Sequence, residues 1–296
     1  MNKSTKVNLM LFIVLLIWAN SYVLIKVATR ELSPVSIAMS RFFIIFPFLF
    51  LFPSLYKIKM IKREDLLKIL FLSFLNVPGY HLSINKAETL INASTASLIA
   101  GLSPVLTGIL SMIFLKEKLK TIKIFGLLIS FFGVFLLTYG INLGFHLDNF
   151  IGAFFSILSV LSWVFSTIIS KPLFKKYEPL DVTIWILFLG TFMLIPFIKI
   201  DNFKEILNMN SSTFLSILYL GFLSILFGYT FWYKGLKYKE ASATSSFIYL
   251  NPIIGTISGI IFLNESLSTL SFFGAFLIIL GLFMVNPLKM EKEVLD

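Results

Sequence analysis

Apolar residues run along this chain in stretches of roughly 18–25, and the polar positions gather in short clusters between them. A hydrocarbon core about 30 Å thick takes about 20 apolar residues in a helix, so each stretch predicts a membrane span. Ten are read: 8–28, 34–55, 66–85, 92–115, 122–140, 150–170, 180–199, 213–233, 241–263 and 270–287. Helix is predicted because a backbone in lipid must satisfy its own hydrogen bonds. The runs are also too long and too unalternating for barrel strands. The first run lacks the small-residue cleavage site of a signal peptide, so it is counted as a span.

The pattern repeats. Residues 70–138 align with 218–286 at a constant offset of 148 without a gap, and 21 of the 69 pairs are identical. The register holds Pro104 to Pro252, Glu117 to Glu265, Gly126 to Gly274 and Gly133 to Gly281, which shared hydrophobicity alone does not preserve. A shorter echo at offset 145 pairs Trp18, Ser21, Lys26 and Pro34 with Trp163, Ser166, Lys171 and Pro179. The chain is therefore a duplication, divided as 1–145 and 146–296.

Composition agrees with a bilayer. Hydrophobic residues make up 57% of the chain and charged residues 14%, against about 45–50% and about 25% in soluble domains. Zero Cys excludes disulfides, thiolate metal sites and Cys nucleophiles. Neither a metal nor a cofactor is expected. The net charge of +10 raises the question of nucleic acid, and its distribution answers it. With the N-terminus inside, the inner segments carry 19 Lys and Arg residues and the outer loops five. That is a positive-inside bias, which predicts a multi-pass protein of the cell membrane with both termini cytoplasmic and no nucleic-acid partner.

Five spans per half is an odd number, so the second half enters the membrane upside down. Lys116–Lys123 falls inside, and its counterpart 264–271 falls outside and carries no Lys. The expected fold is all-α, with ten transmembrane helices in two inverted five-helix repeats. Inverted repeats build two gates around one central site, the geometry of alternating-access transport.

These residues carry a family likeness: Trp18, Ser21 and Lys26 at the opening, Arg41-Phe42, Ala93 to Pro104, Glu117, Gly126 and Gly133, and the second copy from Ala241 to Gly281. The chain resembles the EamA-like exporters of the drug/metabolite transporter superfamily over essentially its whole length. The resemblance implies a ten-helix basket with spans 1, 3, 4, 6, 8 and 9 around a cavity. It also implies export of small metabolites, amino acids being the best-known class.

Candidate site residues are the polar and aromatic side chains inside spans. Trp18 and Trp163 lie mid-span, away from either interface, beside Asn20, Ser21, Ser162 and Ser166. Arg41 is an intramembrane cation with no acidic residue inside any predicted span, and such a charge costs about 2.5–3.5 kcal/mol unless it is paired or wet. It suits a substrate carboxylate, or else anchors a peripheral helix. Tyr80 and His81 follow a Pro-Gly break and pair with Tyr229 across the repeat. Titrating near neutrality, His81 suits a proton-linked step. Tyr249 and Asn251 complete the expected lining. Trp232 and Tyr233, next to Lys234, read as an interfacial belt. Pro104 and Pro252 each remove a backbone hydrogen bond and mark spans 4 and 9 as gating elements. Glu117 and Glu265 read as supports for the helix that follows each. No catalytic constellation is visible, so an enzyme is not expected. An intramembrane enzyme or a non-transporting receptor or structural protein is the alternative class.

Overall fold

The computed structural model describes residues 3–91, 93–140, 150–254 and 269–286, and every element in it is helical. The first half holds α1 (Lys3–Ala28), α2 (Pro34–Tyr56), α3 (Arg63–Leu90), α4 (Ala93–Ala100 and Leu102–Phe114) and α5 (Thr121–Gly140). The second holds α6 (Phe150–Lys175), α7 (Pro179–Phe192), α8 (Ile200–Leu207), α9 (Ser211–Tyr238), α10 (from Ala241, described to 254) and α11 (Thr269–Val285). Six of these are long and apolar enough to cross a bilayer: α1, α2, α3, α6, α7 and α9. The apolar parts of α4, α5 and α11 are shorter, and the rest of the predicted ninth span lies outside the described residues.

Helix starts follow local chemistry. The Ser33 hydroxyl accepts the Ser36 N–H at the head of α2, with Pro34 at the first helical position. Its repeat counterpart Pro179 opens α7 inside a reciprocal cap between Glu178 and Asp181. Between α7 and α9, the short α8 was not expected from the sequence. Its buried Asn202 donates to Ser33 Oγ and Ser36 Oγ at 3.0 and 2.9 Å, and the Glu205 carboxylate accepts the Ser33 N–H at 2.7 Å. Partial burial raises the Glu205 carboxyl, but hydrogen bonds from Ser36 and Ser33 outweigh it and hold the group below its usual range.

Two departures from α geometry recur at equivalent places. Leu75–Leu82 in α3 and Tyr219–Phe227 in α9 are π-helical, and the two stretches overlap under the 148 offset. Such wide turns gather at functional sites. α4 breaks at Gly101, and α10 passes through a 3-10 turn at Ser246–Tyr249. Each irregularity lies about one turn upstream of Pro104 or Pro252, where proline withholds its N–H.

α5 and α11 pack antiparallel through the paired glycines. A Cβ on Gly126 would stand 2.7 Å from the Gly281 carbonyl oxygen, and one on Gly133 would stand 2.7 Å from that of Gly274. Only glycine allows backbones this close, the small-residue contact used by helices in lipid. The main core gathers Leu11, Leu15, Phe42, Leu72, Val77, Leu187, Trp232 and Leu236. Phe50, Phe132, Phe150, Leu215 and Phe272 stay exposed on the exterior, as an apolar surrounding requires.

Candidate functional site

A cavity of about 70 Å³ lies between the halves, walled by α1, α3, α4, α6, α9 and α10, with α2 contributing Arg41. Those six are the helices that the resemblance placed around it. Its centre is aromatic. Trp18 and Trp163 meet edge to face with ring centroids 5.2 Å apart, and Tyr229 lies 5.7 Å from Trp163. His81 Nε2 and the Tyr229 hydroxyl are 3.1 Å apart. Both pairs are repeat counterparts touching each other.

Other contacts come in counterpart sets. Ser21 Oγ donates to Ser224 Oγ at 3.0 Å, and Ser166 Oγ donates to Asn76 Oδ1 at 3.3 Å. Lys26 Nζ donates to the Glu88 carbonyl at 2.7 Å, and Lys171 Nζ to the Leu236 carbonyl at 2.5 Å. These ammonium groups meet the last carbonyls of α3 and α9, where a cation suits the helix dipole. They mark opposite ends of the bundle. Lys176, near Lys171, pairs with Asp65 at the start of α3, and Lys26 sits at its finish.

The symmetry is incomplete. Trp18 Nε1 donates to the Ser224 carbonyl at 2.9 Å, and Trp163 Nε1 has no hydrogen-bond partner among the described residues. Asn76 O, the counterpart acceptor, takes the Tyr229 hydroxyl at 3.4 Å instead.

Arg41 is buried and lines the cavity. Its guanidinium donates to Asn85 Oδ1, Asn85 donates to the Pro34 carbonyl at 3.0 Å, and Arg41 Nε has no partner among the described residues. Tyr80 and Asn251 also line the space, and Asn251 Oδ1 is without a partner among the described residues.

Two expected lining residues are elsewhere. The exposed Asn20 turns its amide back to the Leu16 carbonyl at 2.8 Å. Trp18, Ser21, Tyr22 and Ile25 share one helical face by their spacing, and Asn20 falls off it. Tyr249 is fully buried, its hydroxyl donating to the Leu127 carbonyl at 3.0 Å on α5. Pro104 and Pro252 stand behind the wall, but Ala100 and Ile248, whose carbonyls they leave without the usual donor, line it.

Trp232 and Tyr233 are not a belt. Trp232 packs 5.2 Å from Trp18, and the Tyr233 hydroxyl donates to Asn76 Oδ1 at 3.3 Å. Glu117 supports a helix, though not the one after it. Its carboxylate accepts the Ala241 and Ser242 N–H groups at 2.6 and 3.3 Å and the Ser242 hydroxyl at 2.9 Å, capping α10. Glu265 lies outside the described residues.

Sequence reasoning missed Tyr22, Ser103 and, above all, Glu88. The third span was drawn to end at 85, but α3 continues to Leu90 and carries a fully buried carboxyl. Tyr80, Ile84 and Glu88 recur every four residues, a periodicity that extends the helix beyond the boundary drawn.

The sequence profile of the EamA-like transporter family matches residues 5–139 and again 150–286. The chain is 32% identical to an uncharacterised transporter of Archaeoglobus fulgidus over 271 residues, 90% of this chain and 94% of the relative. It is 26% identical to a probable amino-acid metabolite efflux pump of Escherichia coli, covering 98% of each. It is 23% identical to a probable terminal-alkyne amino-acid exporter of Streptantibioticus cattleyicolor, covering 96% and 94%. A crystal structure at 18% identity shares the fold, with a TM-score of 0.76 over 96% of this chain and 99% of its own.

Proposed function

The chain belongs to the EamA-like transporter family of the drug/metabolite transporter superfamily, and from that premise we propose that it exports an amino acid or related small metabolite by alternating access. It is a multi-pass membrane transporter of small molecules and not an enzyme.

The observation that carries the mechanism is the pairing of contacts across the repeat. If residue i touches the counterpart of j, and j touches the counterpart of i, the two halves are related by a two-fold axis. Gly126–Gly281 and Gly133–Gly274 form such a set, and so do Ser21–Ser224 and Ser166–Asn76. His81–Tyr229 and Trp18–Trp163 are self-paired and straddle the axis. Because α5 and α11 are antiparallel, that axis lies across the helices, which supports ten spans in inverted halves. Equivalent closures then exist at the Lys26 and Lys171 ends, and α4 and α10 bend at the irregular turns preceding Pro104 and Pro252. The lysine bias supports cytoplasmic termini.

The amino-acid reading rests on the cavity chemistry and on the printed names of two relatives. Arg41 offers its guanidinium to a carboxylate. Trp18, Trp163, Tyr80 and Tyr229 offer faces to an apolar or aromatic side chain. Asn251 and Ser103 supply hydrogen bonds from opposing repeats.

Counterflow of radiolabelled amino acids in proteoliposomes tests this. Wild type exchanges label, Arg41→Gln loses most of the exchange, and Trp163→Ala loses it while remaining folded. Wild-type protein inert toward every amino acid would overturn the substrate class. Cysteines introduced at positions 118 and 266 label from opposite sides of the membrane; labelling from one side would overturn the inversion.

A further inference from the structure

The Glu88 side chain has no role in the architecture described above. Its side chain is fully buried, and neither carboxylate oxygen meets a hydrogen-bond donor among the described residues. Its repeat counterpart is Leu236, fully buried in the core, so this position in the fold needs only an apolar side chain. The latch at this end uses the Glu88 backbone carbonyl, which Lys26 would find equally well on a leucine, as Lys171 does at Leu236. The carboxyl is therefore surplus to packing.

Among the described residues, the one cation within electrostatic reach of its carboxylate is Lys26, whose ammonium is hydrogen-bonded elsewhere. From α1, Lys26 gives its ammonium to the carbonyl and Tyr22 presents a phenol within electrostatic reach. From α2, Arg41 is engaged by Asn85, one turn before Glu88 on the same face of α3. From α3 itself, Tyr80 is also within electrostatic reach. The segments of α4 and α6 packed against this turn contain no titratable residue. An ionised carboxylate with no donor on either oxygen is costly to enclose. A proton or a cation brought to those two oxygens relieves that cost.

We propose that Glu88 is the coupling site of the transporter, where a proton and the ammonium group of the cargo compete for one carboxylate. The proposal rests on the amino-acid reading above. Arg41 takes the cargo carboxylate, and the ammonium turns toward Glu88. From the cytoplasmic side, the ammonium displaces the proton, which leaves to cytoplasmic water. After release outside, the carboxylate takes a proton from external water and carries it inward. One proton enters for each zwitterion expelled, so one positive charge moves inward per cycle.

The test is amino-acid counterflow in proteoliposomes at matched internal and external pH. Competition makes the wild-type KM rise about tenfold for each pH unit of acidification below the carboxyl's titration. Glu88→Gln weakens KM and flattens that dependence, Glu88→Asp keeps the slope, and His81→Gln keeps it too. A Glu88→Gln protein with the wild-type slope overturns the proposal, as does a flat wild-type profile with counterflow present. If the wild type exchanges no amino acid at all, the substrate reading has failed, and intrinsic tryptophan fluorescence decides Glu88 independently. A pH-dependent step present in wild type and in His81→Gln but absent in Glu88→Gln supports the assignment. The same step in Glu88→Gln overturns it.

Discussion

The Lys26 end and the Lys171 end of the cavity descend from one ancestral design, yet they are tied differently. Both keep a lysine on the final carbonyls of a long helix. At the Lys171 end that lysine also reaches the Lys239 carbonyl, Glu117 caps α10, and Lys123 pairs with Glu240 at 2.5 Å. The counterparts of Lys123 and Glu240 are Ser271 and Asn92, so the ion pair has no equivalent by sequence. The Lys26 end instead holds Glu88 where the other has Leu236. What duplication preserved is the closure that the fold requires. What diverged is charge.

Weakening the more heavily tied end has the largest expected effect. Glu117→Ala leaves two N–H groups at the head of α10 without their acceptor and shifts the equilibrium toward opening there by about 2–3 kcal/mol, roughly 30–150-fold. Thiol labelling of a Ser245→Cys reporter reads the shift, since the native chain has no cysteine. Next, Lys171→Met lowers the melting temperature more than Lys26→Met in scanning fluorimetry, because Lys171 holds two carbonyls and Lys26 one. Both tryptophans lose packed ring volume on change to Phe, and Trp18→Phe costs about 1 kcal/mol more than Trp163→Phe for its lost bond to Ser224. Equal effects of the two tryptophan changes would erase the asymmetry between halves.

The smallest effect belongs to α8, which only the second half has. Glu205→Gln destabilises by less than about 1 kcal/mol, since the group is partly exposed. The sign follows from its depressed titration: the contribution is complete above the ordinary carboxylate range, about pH 4.3, and disappears as pH falls through the lower folded value. A thermal scan against pH therefore shows wild type and variant converging in acid.

Much of this was legible because hydrocarbon thickness and register are strong constraints. The repeat offset alone brought His81 to Tyr229 and Trp18 to Trp163, pairs that meet in the structure. Span ends were less legible, since a charged residue near a boundary reads as a loop. Glu88 was excluded on that ground, and the assumption that Arg41 had no acidic residue within any span fell with it. Asn20 misled because polarity says nothing about facing; only its spacing from Trp18 and Ser21 does. α8 escaped because eight residues leave a weak periodic signal, and the π segments because a widened turn depends on packing rather than composition.

His81 and Tyr229 stand on the line about which the halves interchange. A side chain there is equidistant from either mouth, like the pivot of a balance. Enlarging or shrinking it alters grip on the cargo by the same amount whichever mouth is open. Off the line, at Arg41 or Asn251, an equal change weighs on one orientation more than the other. On the alternation proposed above, the balance between the two orientations is therefore tuned from the arms, and tightness from the pivot.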